Sequence, residues 1–202
     1  MRTTVAMACM LLIAGTAAAD ERPSFSHLRM EGQTVHVLNS TQLAVTPGPG
    51  FTRTGPHDFL KVEEDKYHFE VSLVSFVEPS AAVSVTAERL VETSALNYDE
   101  LPPAKWPDSG FLQRASGCAT LTPQQAAAMP AQSGMKWLVE AGFVPDGSFA
   151  FEASLLLAPD KHHEATIELI ARVNSCADTA DVEATLSALR ARIVATRAAS
   201  SP

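Results

Sequence analysis

The sequence predicts an α+β domain: an antiparallel β-sheet, a meander in its C-terminal half, packed against helices and closed by a long amphipathic C-terminal helix. Three observations carry that reading. Tyr67, Phe69, Val71 and Leu73 alternate with His68, Glu70 and Ser72, the period of a half-buried strand. Phe149, Phe151, Ala153, Leu155 and Leu157 alternate likewise, as do Ala165, Ile167, Leu169, Ala171 and Val173. Val182, Leu186, Leu189 and Ile193 instead recur at helical spacing.

In chain order, Arg2, an apolar run from Val5 to Ile13 and the small residues Ala17-Ala18-Ala19 read as a cleavable signal peptide over residues 1–19. The run is too short for a membrane span, which takes about 20 apolar residues. Residues 20–202 then form one domain, with 20–30 flexible and 199–202 frayed. Thr34–Leu38 and Thr41–Val45 are short strands, broken by Pro47-Gly48-Pro49-Gly50. A loop through Thr54-Gly55-Pro56 follows. Glu63-Glu64-Asp65, beside Lys61 and Lys66, reads as a solvated turn before the Tyr67–Val77 strand. Ala82–Glu92 is assigned to a strand paired with it, although Ala87–Val91 also suits a helix start.

Asn97–Gly110, with Pro102, Pro103 and Pro107 around Trp106, is irregular. Phe111–Ala119 is a strand carrying Cys118. Thr122-Pro123-Gln124-Gln125 opens a short helix, with Thr at the cap, Pro first and Gln three residues on. Met135, Trp137, Val139, Ala141 and Phe143 alternate and are assigned to the first strand of the meander. Pro145-Asp146-Gly147 turns the chain into the second strand, and Ala158–His163 into the third. Glu164, Glu168 and Arg172 share helical spacing, but Thr166, Ile167, Ile170 and Val173 favour the strand. The last element is a helix from Thr179 to Ala198, capped by Asp178 or Thr179, with Arg190, Arg192 and Arg197 near its C-terminal end.

The formal charge of −8 argues against nucleic acid as a partner. Export places the chain in the periplasm of a Gram-negative cell or, otherwise, in the medium. Cys118 and Cys176 are the cysteines left after signal cleavage, and an oxidising compartment pairs them.

Chemistry-bearing candidates are few. Asp160-Lys161-His162-His163-Glu164 offers metal-type ligands, with His162, His163 and Glu164 the candidates. Adjacent histidines on a strand, however, face opposite ways. His57-Asp58 pairs a base with an acid, but no nucleophile motif accompanies it. Asn39-Ser40-Thr41 fits a glycosylation sequon. Trp106, with Tyr98 and Phe111, marks the proline-rich segment as a contact region for a partner protein, or else as a plug for the domain's own core. Trp137, Phe149, Phe151 and Leu155 would line an apolar pocket between sheet and terminal helix.

The function expected is therefore a non-catalytic exported domain that binds another envelope or extracellular protein, as an adaptor, inhibitor, immunity factor or assembly accessory. The alternatives are a carrier of a small apolar ligand and a metal-dependent hydrolase using His162 and His163. No cofactor is predicted.

Overall fold

The computed structural model describes residues 25–106, 110–129, 133–144 and 146–197. The expected signal peptide, the first part of the lead-in and the last residues of the chain lie outside them. The fold is mostly antiparallel sheet. A four-stranded sheet has the order β1 (Leu28–Glu31), β2 (Thr34–Val37), β3 (Leu43–Pro47), β10 (Ile193–Arg197). A six-stranded sheet has the order β4 (Thr52–Glu63), β5 (Tyr67–Glu78), β6 (Ala81–Leu90), β9 (His163–Arg172), β8 (Gly147–Leu157), β7 (Leu112–Leu121). Among the described residues the helices are α1 (Pro123–Ala128), α2 (Ser133–Glu140) and α3 (Thr179–Arg190).

The large sheet has two unlike faces. On the first, Val74, Phe76, Val83, Val85, Ile167, Leu169 and Leu156 meet Val35, Leu43 and Val45 of the small sheet and Leu186 and Leu189 of α3 in one core. On the second, α1 lies against β7 and α2 against β4 and β5. There Met135 and Leu138 of α2 pack with Phe143, Phe149, Ile170, Ala82 and Val77. We call these the core face and the open face, because the helices cover only one end of the second.

The strands expected at 34–38, 41–45, 67–77, 82–92, 111–119, 149–157 and 165–173 all form, within a few residues. So does the helix opened by Thr122: its hydroxyl accepts from the Gln125 amide at 3.3 Å, and the Gln125 side chain accepts from the Thr122 amide at 2.9 Å. Residues 97–106 are irregular, as expected, apart from an isolated bridge between Pro103 and Leu112.

Four expectations are overturned. Residues 135–143 are not a strand: Ser133–Glu140 is helix, closed by Gly142 at φ +102°. The Gly142 amide donates to the Val139 carbonyl and the Phe143 amide to the Leu138 carbonyl, the double bond of a glycine-ended helix. The meander partner of β8 is β7 instead, so α1 and α2 form the connection between paired strands. The long terminal helix is also wrong. Asp178 caps it as expected, accepting from the Ala180 and Asp181 amides, but α3 stops at Arg190. Ile193–Arg197 leaves it as a strand, because pairing with β3 satisfies its backbone and buries Ile193.

The Thr54-Gly55-Pro56 loop is part of a long edge strand. A bulge between Thr54 and His57 absorbs the proline, which an edge tolerates because it need not donate outward. Gly55 sits at φ +92°, with the Leu73 carbonyl 2.9 Å from where a Cβ would lie. Finally, part of the region expected to be flexible is ordered: Leu28–Glu31 is β1, its Leu28 buried.

Candidate functional site

Central strands of a sheet normally bury both faces, yet two here are polar on the open side. β6 presents Ser84, Thr86 and Glu88 there, and β9 presents Glu164, Thr166 and Glu168. Both show apolar residues to the core: Val83, Val85 and Ala87 on one, Ala165, Ile167 and Leu169 on the other.

At the end away from the helices, Glu88 stands directly opposite Glu164 in the ladder. Like charges so placed repel, and each has its own cation. The Lys61 ammonium pairs with Glu88 and reaches Glu63 at 3.1 Å, lying 4.6 Å from the Phe69 ring centre. A bulge between Gln113 and Ala115 accompanies Arg114, whose guanidinium donates to Glu164 at 2.7 Å. The Tyr98 hydroxyl donates to the same carboxylate at 2.6 Å. Burial works against the Lys61 charge, but Glu88 and Glu63 outweigh it and raise its pKa. Burial, then the facing carboxylate Glu88, raises Glu164. Burial and the Glu164 charge push the Tyr98 hydroxyl well above its ordinary range. These groups are locked to one another.

At the helical end, Trp137 of α2 stacks on His57, ring centres 4.2 Å apart and planes 4° from parallel, and tilts against Phe59 at 5.2 Å. Burial lowers the His57 pKa, only partly offset by Glu140 and Asp58.

Between the two ends lies Glu168. It is exposed to solvent and has no hydrogen bond or ion pair among the described residues. Even so, desolvation raises its pKa, with only Arg114 pulling the other way. Its neighbours across the ladder are small. Ser84 faces it from β6 and Ala153 from β8; beyond them stand Ser75 on β5 and Ala115 on β7. This transverse row is made of small residues with one carboxylate in the middle. One flanking row, Leu73, Thr86, Thr166 and Leu155, is bulkier; the other mixes Val77, Ile170 and Phe151 with the small Ala82 and Gly117. Ser75 and Ser84 are buried and bonded to each other at 2.8 Å, whereas Ala153 and Ala115 are half-buried. Beside Glu168 on its own strand, the Thr166 hydroxyl oxygen is buried without a hydrogen-bond partner.

The residues singled out from sequence fall in several places. Cys118 and Cys176 form a disulfide. Trp106 and Phe111 are buried in the core, rings 5.8 Å apart, so they are plugs and offer a partner little surface. Tyr98 lies half-buried over the open face. Trp137, Phe149, Phe151 and Leu155 do share one side of the molecule, but it is the open face under α2 and not a space beneath α3.

His163 and Glu164 point to opposite faces. His163 contacts Asp160 at 2.8 Å beside a shallow cleft of about 370 Å³, where His162 also lies, while Glu164 is buried on the open face. Among the described residues no three His, Cys, Asp or Glu side chains are grouped to hold a metal. His57 and Asp58 also diverge: one lies under Trp137, the other accepts from Ser72 on the core side. Asn39 is engaged internally, donating to the Glu164 carbonyl at 3.2 Å and accepting from Thr41.

Glu168 was overlooked in the sequence, as were Lys61, Glu88 and Arg114 as a network. One signal was available: Glu164-x-Thr166-x-Glu168 alternates with a fully apolar set, which marks a central strand with a wet face. Comparison with protein-family models, with curated proteins and with solved structures finds no match to this chain.

Proposed function

We propose that this chain is an exported, non-catalytic binding protein that takes a small ligand on the open face, around Glu168. The observation that carries the reading is Glu168 itself, an exposed carboxylate with a raised pKa and no hydrogen bond or ion pair among the described residues, on a face where Glu88 and Glu164 are both paired. An unpaired charge that dense protein surrounds is a cost, and a ligand that answers it would offset that cost. General acid–base work would ask for a second free titratable group beside it. Lys61, Glu88, Arg114, Glu164 and Tyr98 are instead fixed in pairs, and His57 is stacked beneath Trp137 and bonded to Thr54. Export is supported by the N-terminal sequence and by the Cys118–Cys176 bridge, a bond that oxidising compartments keep. The burial of Trp106 and Phe111 favours this face over the proline-rich segment as the contact region.

The test is protein recovered from its own host and examined by native mass spectrometry, followed by amide and methyl NMR shift mapping with any ligand released from it. Shifts gathered at Ser84, Thr86, Ala153, Thr166 and the Trp137 indole are expected. Shifts gathered instead at the His163 cleft, or a host protein carrying nothing that perturbs the open face, would overturn the reading.

A further inference from the structure

We infer that two copies of this chain associate through the outer edge of β4, pairing antiparallel about Leu60, so that the six-stranded sheet runs unbroken from one copy into the other. The inference goes beyond the ligand reading and does not depend on it.

The two edges of the large sheet are treated unequally. β7 is covered: Pro103 bridges Leu112, the Gln113 amide donates to the Pro102 carbonyl at 2.7 Å, and the Ala104 amide donates to the Phe111 carbonyl at 2.9 Å. β4 is the other end of the strand order, and among the described residues no strand or loop pairs with its outer side. An uncovered edge presents a row of N–H and C=O groups, and the partner that fits them is another extended strand.

The regular length of that edge selects a mate. Pro56 and the bulge between Thr54 and His57 interrupt β4 at one end. Glu64 and Asp65, both at positive φ, turn the chain at the other. Residues 57–63 lie between these interruptions, and their midpoint is Leu60. In a two-fold antiparallel pair each residue faces the one equally far from the axis. The whole regular length is used only when Leu60 faces the partner's Leu60. An axis falling between residues would set opposite faces of the two sheets side by side, so it falls on a residue.

Side-chain chemistry agrees with that register. Leu60 is 60% exposed and Val62 38%, large apolar side chains left to solvent on this edge. At the axis Leu60 packs on its own copy. Beside it Phe59 stands opposite the partner's Lys61, and His57 opposite the partner's Glu63. Asp58, already accepting from Ser72, stands opposite the partner's Val62. No like charges meet. An axis on Lys61 would set two lysines against each other, and one on Phe59 would set His57 against the partner's Lys61 and run Val62 into the partner's Pro56. Because the axis stands perpendicular to the sheet, both open faces stay on one side and neither Glu168 is covered.

The experiment is sedimentation of the full mature protein from low micromolar concentration to about 0.5 mM, with three variants beside it. The parent is expected to show a concentration-dependent dimer. Leu60→Lys changes an exposed side chain, so its melting temperature should match the parent's. It sets two ammonium groups at the axis and is expected to weaken the dimer at least about 10-fold. Leu60→Cys reads the register: facing residues of a ladder have Cα atoms about 4.5–5.5 Å apart, within disulfide reach. It is expected to crosslink two copies under mild oxidation, while Val62→Cys, which faces Asp58, is expected to stay uncrosslinked. The native cysteines Cys118 and Cys176 are already bonded to each other and do not compete. A parent that stays monomeric to about 0.5 mM, a dimer that Leu60→Lys leaves as tight, or crosslinking at Val62→Cys as fast as at Leu60→Cys would overturn the proposal. None of these outcomes bears on ligand binding at the open face, which the shift mapping above reads separately.

Discussion

Both faces of the six-stranded sheet pair their buried charges, but only the open face adds a carboxylate with no partner among the described residues. On the core face, Glu152 of β8 meets Arg190 of α3 through two hydrogen bonds, 3.1 and 2.5 Å, both side chains almost wholly buried. That pair is complete, and the helix that supplies the arginine covers it. On the open face, Glu168 is the neighbour of Leu169, which stands opposite Glu152, and it has no hydrogen bond or ion pair among the described residues. Desolvation works against the Glu168 charge, so at neutral pH the carboxylate adds nothing to stability. The contrast supports the open face, rather than the core face, as the contact region proposed above.

The comparison can be broken most forcefully through the disulfide. Cys118 and Cys176 tie β7 to the approach of α3 across a separation of 58 residues. Replacing both by alanine should cost about 4 kcal/mol in the chain-entropy view, read by urea denaturation. A loss near zero would mean that α3 is held on the core face by packing alone. Next in size, Glu152→Ala leaves the Arg190 guanidinium buried without its partner and should destabilise by about 3 kcal/mol. A change well under 1 kcal/mol would erase the distinction between the faces.

The smallest effect has the opposite sign. Glu168 has a folded pKa above its ordinary 4.5, so its favourable contribution is present below that pH and is lost as pH rises through the folded value. Glu168→Gln should therefore raise the melting temperature at pH 7, by about 2 °C given the screening that water access allows, and the gain should vanish toward pH 4.5. A variant less stable than the parent at pH 7 would show that Glu168 has a structural partner after all.

The strands of the large sheet were legible because their core-facing residues alternate without interruption, as at Val83, Val85 and Ala87. The misread elements share one cause: local periodicity that two structures satisfy equally. Met135 to Phe143 alternates, yet Leu138 and Phe143 are also the contact that closes a glycine-ended helix, and Gly142 at the right distance was the sign to read. Ile193 extends the stripe of α3 in sequence, but β3 offered it a ladder, a tertiary fact no window of residues contains. β4 was hidden by Pro56, whose bulge shifts the register by the extra residues that spoil alternation. The candidate site was legible only as scattered polar residues. Ser75, Ser84, Ala115, Ala153 and Glu168 become one row through register alone.

That row carries a consequence for how the binding preference of such a protein would change over time. Its members come from five separate strands, and none is a sequence neighbour of another. A replacement at the exposed Glu168, or at the half-buried Ala153 or Ala115, alters one patch of the open face while the backbone ladder stays in register, whereas Ser84, buried and bonded to Ser75, is tied to the fold. A lineage could exchange one ligand for another through such steps and keep the scaffold throughout.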